Sequence, residues 1–267
     1  MKIFAIIDDY TDKEIGYFFC YEKFNQCYIE FTGDIDEWDL PIFLEHFVRN
    51  GKRIVPPNWT KKWIQTRIIP SDRQNLGSIL KENGLDSYDE IKLFLLADGR
   101  CAQDECYIRK ISENELPQDI IERRKKRIKT AVYNGNGSYL ITFKDGKVAT
   151  FDVNQTMEFE RYRRFAAYTR LLASLDIDAA GIGLSFNEQI EISYKDIYDQ
   201  SNALPITEEL LDRYALNRFI STGESTDILH CSRQNIDDLV KRDKISPVDI
   251  KAKNKMFFRS DIMELLE

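Results

Sequence analysis

Thr226-Asp227-Ile228-Leu229-His230-Cys231-Ser232-Arg233-Gln234-Asn235-Ile236, followed by Val240-Lys241-Arg242-Asp243-Lys244-Ile245, decides the fold of the C-terminal part of the chain. Ser232 is a residue of the helix-capping type and stands directly before a stretch with helical spacing that runs to about Arg242. Ser225 is placed to cap a shorter helix from Thr226 to His230, and Cys231 falls in the turn between the two. The spacing brings Ile228 and Leu229 on the first helix against Ile236, Leu239 and Val240 on the second. Arg233, Gln234 and Asn235 are then left at the exposed N-terminal end of the second helix.

Outward from this core, Ile245 to Ile250 and Lys255 to Phe258 are expected to pair as a short hairpin. Its tip, Lys251-Ala252-Lys253-Asn254, is basic, while Phe257 and Phe258 supply an anchor. Ser260 is placed to cap a last helix through Leu266. Between Ser232 and Arg259 there are eight Lys or Arg against four Asp, a balance of 8 − 4 = +4, in a chain whose net charge is −7. Phosphate binding needs positive potential, so nucleic acid is excluded as a partner of the whole surface but not of this segment.

The block Ser225 to Leu266 resembles the winged helix-turn-helix of phage excisionases and MerR-type regulators. The resemblance lies in the two stretches quoted above and in Met256-Phe257-Phe258-Arg259-Ser260-Asp261-Ile262. It implies that Ser232, Arg233, Gln234 and Asn235 contact DNA from a recognition helix, and that Lys251, Lys253, Lys255 and Arg259 make wing or backbone contacts. Lys241, at the far end of the recognition helix, joins these candidate contacts. Arg pairs with guanine and Asn or Gln with adenine in the major groove, and a helix N-terminus attracts phosphate. The family commonly has glycine where Asp243 stands and another at the wing tip near Ala252 to Asn254, and the acidic pair Asp237 and Asp238 would lower affinity if it faced phosphate. The resemblance leads us to expect a transcriptional regulator that binds duplex DNA as a homodimer.

Upstream, the reading is of an α+β protein in three parts: a mixed sheet-and-helix domain over residues 1–112, a small β-β-α-β-β domain over 131–201, and a helical linker with the winged helix over 207–267. Lys2 to Ile7, Ile15 to Tyr21 and Cys27 to Phe31 read as antiparallel strands, with Asn25 in a turn. Ile42, Phe43, His46 and Phe47 share one helical face, and Trp59, Trp63 and Ile64 the next. Ser71 with Gln74, and Ser87 with Glu90, read as capping boxes of two helices ended by Gly84 and Gly99. Glu105 to Ile111 is a closing strand, and the basic run Arg123 to Lys129 is read as a solvated helix face at a boundary. In the middle part, Lys144-Asp145-Gly146 is a hairpin turn between Tyr139–Phe143 and Val148–Val153; Glu158 to Leu175 is helical, and Gly181–Phe186 pairs with Gln189–Ser193. Thr207 is expected to cap a helix presenting Leu210, Leu211, Tyr214 and Phe219 on one side, with Ser221 to Glu224 as a linker.

The middle part resembles a small bacterial family known only as a domain of unknown function. The residues are Ile141-Thr142-Phe143-Lys144-Asp145-Gly146-Lys147-Val148, Phe151-Asp152-Val153, Leu184-Ser185-Phe186, Ile190-Glu191-Ile192-Ser193 and Ile197-Tyr198. Its members often sit beside toxin or regulator genes, which implies a protein-interaction or regulatory role. The resulting alternative is an antitoxin-like adaptor that binds a protein through its middle domain and whose winged helix no longer binds DNA.

Enzyme readings find less support. Asp34-Ile35-Asp36-Glu37-Trp38-Asp39 concentrates carboxylates of the kind that hold magnesium in a metal-dependent nuclease, but a second acidic cluster is missing. Glycine-rich phosphate motifs, paired metal histidines and a nucleophile elbow are missing too, so neither catalysis nor a cofactor is expected. Arg67, Asp72 and Arg73 read as an ion-pair network. The five cysteines, Cys20, Cys27, Cys101, Cys106 and Cys231, match no zinc spacing and read as buried or idle thiols. No window is apolar enough for a membrane span, and the apolar start Ile3 to Ile7 runs into Asp8 and Asp9. A cytoplasmic protein is expected.

Overall fold

The first thirty residues carry Phe, Tyr and Ile at so many consecutive positions that their strands are buried on both faces rather than one. In the computed structural model, which describes residues 1–155, 169–186, 190–248 and 255–265, they form the centre of a five-stranded antiparallel sheet. Its strands are β1 (Lys2–Asp8), β2 (Lys13–Tyr21), β3 (Gln26–Glu30), β4 (Ile54–Val55) and β5 (Cys106–Ile111), in the order β4-β3-β2-β1-β5. Asn25, at φ 50°, takes the left-handed conformation that lets the chain reverse between β2 and β3. The chain is therefore α+β with antiparallel sheets, and it divides into two compact units, residues 1–145 with 150–201 and residues 146–149 with 202–267.

In the larger unit one face of the sheet is covered by helices. Helix α1 (Ile42–Arg49) and α2 (Pro57–Gln65) supply Leu44, Phe47, Trp63 and Ile64 to a core with Phe4, Phe18 and Ile29. Phe18, Trp63 and Phe94 meet with ring centroids 5.1 to 6.3 Å apart. The buried face of α1 is the expected one in part: Phe47 is buried and Phe43 packs against the core, but Leu44 joins them while Ile42 is 85% exposed. Helix α3 (Leu76–Glu82) starts at Asn75, with no cap from Ser71, and α4 (Glu90–Leu96) is capped by Asp89, whose carboxylate accepts from Lys92 N–H, rather than by Ser87. Gly84 and Gly99 follow these helices at positive φ, as their positions suggested.

Helix α5 (Gln118–Lys125) leads into β6 (Ile128–Gly135), a strand that sequence reading passed over; it pairs with β7 (Ser138–Phe143), which joins β8 (Val148–Asp152) through the Asp145-Gly146 turn. The basic run from helix to strand is a solvated face only in part: Lys125, Lys126 and Lys129 are exposed, but the arginines turn inward. Arg127 has no exposed surface; its guanidinium is ion-paired with the equally buried Glu30, donates to the Tyr28 hydroxyl and lies over the Tyr28 ring. The other oxygen of Glu30 accepts from Arg123 Nε at 2.9 Å, and Arg123 also pairs with Asp119. Two carboxylates thus meet two guanidinium groups, the arrangement that makes burying such charges tolerable. The expected network of Arg67 with Asp72 and Arg73 does not form: Arg67 pairs with Asp104 and stacks on Trp63, while Arg73 donates to Asn75.

Of the helix expected over Glu158 to Leu175, residues 156–168 lie outside the described residues; α6 (Thr169–Ala173) follows, and Leu175 already belongs to β9 (Leu175–Ile177). Strands β9, β10 (Gly183–Phe186) and β11 (Ile190–Ser193) make an antiparallel sheet ended by α7 (Tyr194–Gln200), with residues 187–189 outside the described set. At Gly181, φ 73°, a Cβ would stand 2.1 Å from the Ile128 carbonyl oxygen, whose own residue donates N–H to Gly181, so only glycine fits.

In the smaller unit, Leu204 N–H donates to the Val148 carbonyl beside the short strand β12 (Asn202–Ala203). Thr207 caps α8 (Glu208–Arg218) as expected, but Phe219 begins the strand β13 (Phe219–Ser221). Ser221 to Glu224 are not the expected linker, nor does Ser225 cap a helix: α9 (Thr222–Leu229) starts there, with Ser221 and Glu224 forming a reciprocal capping box, and Ser225 is a buried helical residue donating to the Ser221 carbonyl. His230, at φ 48°, turns the chain into α10 (Arg233–Lys241). Strand β14 (Met256–Phe258) pairs with β13; of the partner expected over Ile245 to Ile250, Val248 bridges to Met256 among the described residues, and residues 249–254 lie outside the described set. Helix α11 (Arg259–Glu264) follows directly, and Leu266 is outside the described residues.

Candidate nucleic-acid interface

A small buried cluster holds the elements of the smaller unit together. Ile220, Ile236, Ile245, Phe257 and Ile262 form it, and Ile228, Leu229, Cys231, Leu239 and Val240 pack around it. These include the contacts that spacing predicted between the two helices. Ile236 has no exposed surface and anchors α10, while the residues ahead of it in the first turn are left exposed.

Ser232, Arg233, Gln234 and Asn235 are all exposed. Ser232 Oγ accepts from Asn235 N–H at 3.3 Å, so its side chain is committed to capping the helix. Arg233 and Asp237 are four residues apart and share one face of α10, and Gln234, Asp238 and Lys241 share the adjacent one. Lys255 Nζ reaches Asp237 at 2.7 Å, which brings the chain just before β14 onto the Arg233 face. The hydrogen bond from Lys255 and its charge hold the Asp237 carboxyl below the usual carboxylate range. Lys241 lies 3.5 Å from Asp238 in a looser pair.

Arg259 is exposed at the start of α11. Lys251 and Lys253, expected at the wing tip, lie outside the described residues. Two cations not singled out as contacts from sequence, Arg242 and Lys244, are exposed immediately after α10. Between them Asp243 sits at φ 53°, the left-handed conformation for which glycine is the usual residue. Arg218, also unassigned from sequence, lies over the ring of Phe258 at 4.9 Å and beside Phe219 at 5.8 Å. Its position at the end of a helix gave no signal that β13 and β14 would carry the two rings.

The acidic stretch 34–39 is taken up structurally. Asp36 caps a short 3-10 turn, Asp39 pairs with Lys13, and Glu37 pairs with Arg49. Among the described residues, no group of His, Cys, Asp or Glu converges as a metal site, and no helix is long and apolar enough to cross a membrane. Comparison of the chain with protein-family models, curated proteins and solved structures found no match.

Proposed function

We propose that the smaller unit is a winged helix-turn-helix that binds duplex DNA, with α9 and α10 as the two helices and α10 as the reader of the major groove. The observation that carries this reading is the exposure of Arg233, Gln234 and Asn235 at the capped N-terminal end of a helix anchored by the buried Ile236. Their side chains have the donor and acceptor patterns that match guanine and adenine edges. Lys241, Arg242, Lys244, Lys255 and Arg259 supply exposed cations for the phosphates, and Lys251 and Lys253 extend the set in sequence. A homodimer on a two-fold symmetric site, acting in transcription, fits a reader of this size, because one short helix reads only a few base pairs.

The competing reading is a protein-docking module, and a specific observation favours it: Asp237 and Asp238 occupy the same faces of α10 as Arg233 and Gln234, and Lys255 and Lys241 are paired with them. Exposed Leu210, Tyr214 and Leu216 on α8 would suit a protein partner. Selection of binding sites from a random duplex library, with the intact protein and with the Arg233→Ala/Asn235→Ala variant, separates the two. DNA reading predicts an enriched motif whose guanine and adenine positions relax in the variant. An unenriched library with the wild-type protein overturns it.

A further inference from the structure

Cys20 and Cys27 play no part in the interface above, yet their two thiols are in direct contact. They stand directly opposite one another on β2 and β3, so their Cα atoms fall at about 4.5 or 5.5 Å, as in any antiparallel pair, within the range a disulfide spans. Both are buried in the same core, 0% and 5% exposed, which places both side chains on one face of the sheet. Their sulfurs are 2.9 Å apart as free thiols, with Cys27 donating to Cys20. We propose that Cys20 and Cys27 are a dithiol–disulfide couple, closed by a peroxide oxidant into a cross-strand disulfide.

The chemistry balances without a further reagent. One thiol sulfur attacks a peroxide oxygen, the O–O bond breaks, water leaves and a sulfenic acid remains. The second sulfur attacks the first, the S–O bond breaks, a second water leaves and the S–S bond forms. The dithiol loses two electrons and two protons, and the peroxide is reduced. The contact with Cys20 and burial both raise the Cys27 thiol above its ordinary range, so the step runs faster at alkaline pH. Closure would pin the hairpin whose β3 strand carries Tyr28 and Glu30, the partners of Arg127.

The test treats the folded, intact protein with hydrogen peroxide at neutral and alkaline pH, blocks remaining thiols under denaturing conditions, and maps tryptic peptides by mass spectrometry. Lys23 lies between the two cysteines, so a disulfide appears as two peptides joined through Cys20 and Cys27. The proposal expects that joined species to accumulate, faster at the higher pH, and to disappear on treatment with dithiothreitol. Recovery of both residues as blocked thiols, as sulfonic acids, or joined to other cysteines overturns it.

Discussion

Lys255 Nζ lies 2.7 Å from a carboxylate oxygen of Asp237, tying the chain before the last strand to the middle of the helix that presents Arg233. Both side chains are about half exposed, so the pair is screened by water and contributes little to stability. On the proposed DNA-binding reading its consequence is electrostatic: the pair would withhold one cation from phosphate and keep an anion on the reading face. Asp237→Asn is expected to tighten duplex binding at low salt by about threefold to tenfold, with the gain shrinking as salt rises. Fluorescence anisotropy of wild type and variant against one duplex checks the sign; a weaker Asp237→Asn complex would place Asp237 off the DNA face.

Ser221, not Ser225, is the cap of α9, and Glu224 accepts from its N–H at 2.8 Å. Ser221→Ala is expected to cost about 0.5–2 kcal/mol in urea unfolding of the smaller unit. The Glu224 carboxyl is held below its usual range by that backbone hydrogen bond and by the Ser221 hydroxyl. A depressed carboxyl stabilises above its unfolded value and loses that contribution as pH falls through the folded one. Wild-type stability should therefore fall in acid, starting below about pH 4.3, and Glu224→Gln should flatten that limb.

Asp243 holds a left-handed backbone just beyond α10. Asp243→Gly should leave stability unchanged or raise it by up to about 1 kcal/mol, whereas Asp243→Val should lower it by about 1–2 kcal/mol, because a β-branched residue resists positive φ. Thermal unfolding of both variants tests the pair of signs. Equal effects would show that the conformation is not maintained in solution.

Glu30, which has no exposed surface, is shared by the partly exposed Arg123 and the fully buried Arg127. Glu30→Gln leaves buried guanidinium charge with its carboxylate partner removed, and a loss of about 3–5 kcal/mol is expected. Urea unfolding followed by the fluorescence of the buried Trp63 measures it, since Trp63 reports on the same unit. A loss below about 1 kcal/mol would mean that water reaches Arg127.

The parts legible from sequence were those governed by local chemistry. Long apolar runs marked β1 to β3, Asp145-Gly146 marked a hairpin, and Ile228, Leu229, Ile236, Leu239 and Val240 marked the packing of two helices. What stayed hidden depended on partners far along the chain. Arg127 looked like one more cation in a solvated run, and only the fold brings Tyr28 and Glu30 to it. Met256 to Phe258 looked like the return strand of a hairpin from Ile245, and Met256 does bridge to Val248, but its pairing with Phe219 to Ser221, which read as a helix end and a linker, was not visible. Ser221 and Ser225 are both followed by residues a cap accepts, so propensity alone did not choose between them. Within the candidate interface, the cations could be named individually, while the engagement of Lys255 by Asp237 could not, because eighteen residues separate them.

The most direct test of the central claim is the salt dependence of duplex binding by the intact wild-type protein. If α10 and the cations around it engage DNA, binding is present at low ionic strength, and the logarithm of the association constant falls linearly with that of salt at a slope of about −3.6 to −5.4, as for roughly four to six phosphate contacts. Absence of binding at about 50 mM salt, or an affinity that does not respond to salt, would contradict the account and leave protein docking as the role of this unit.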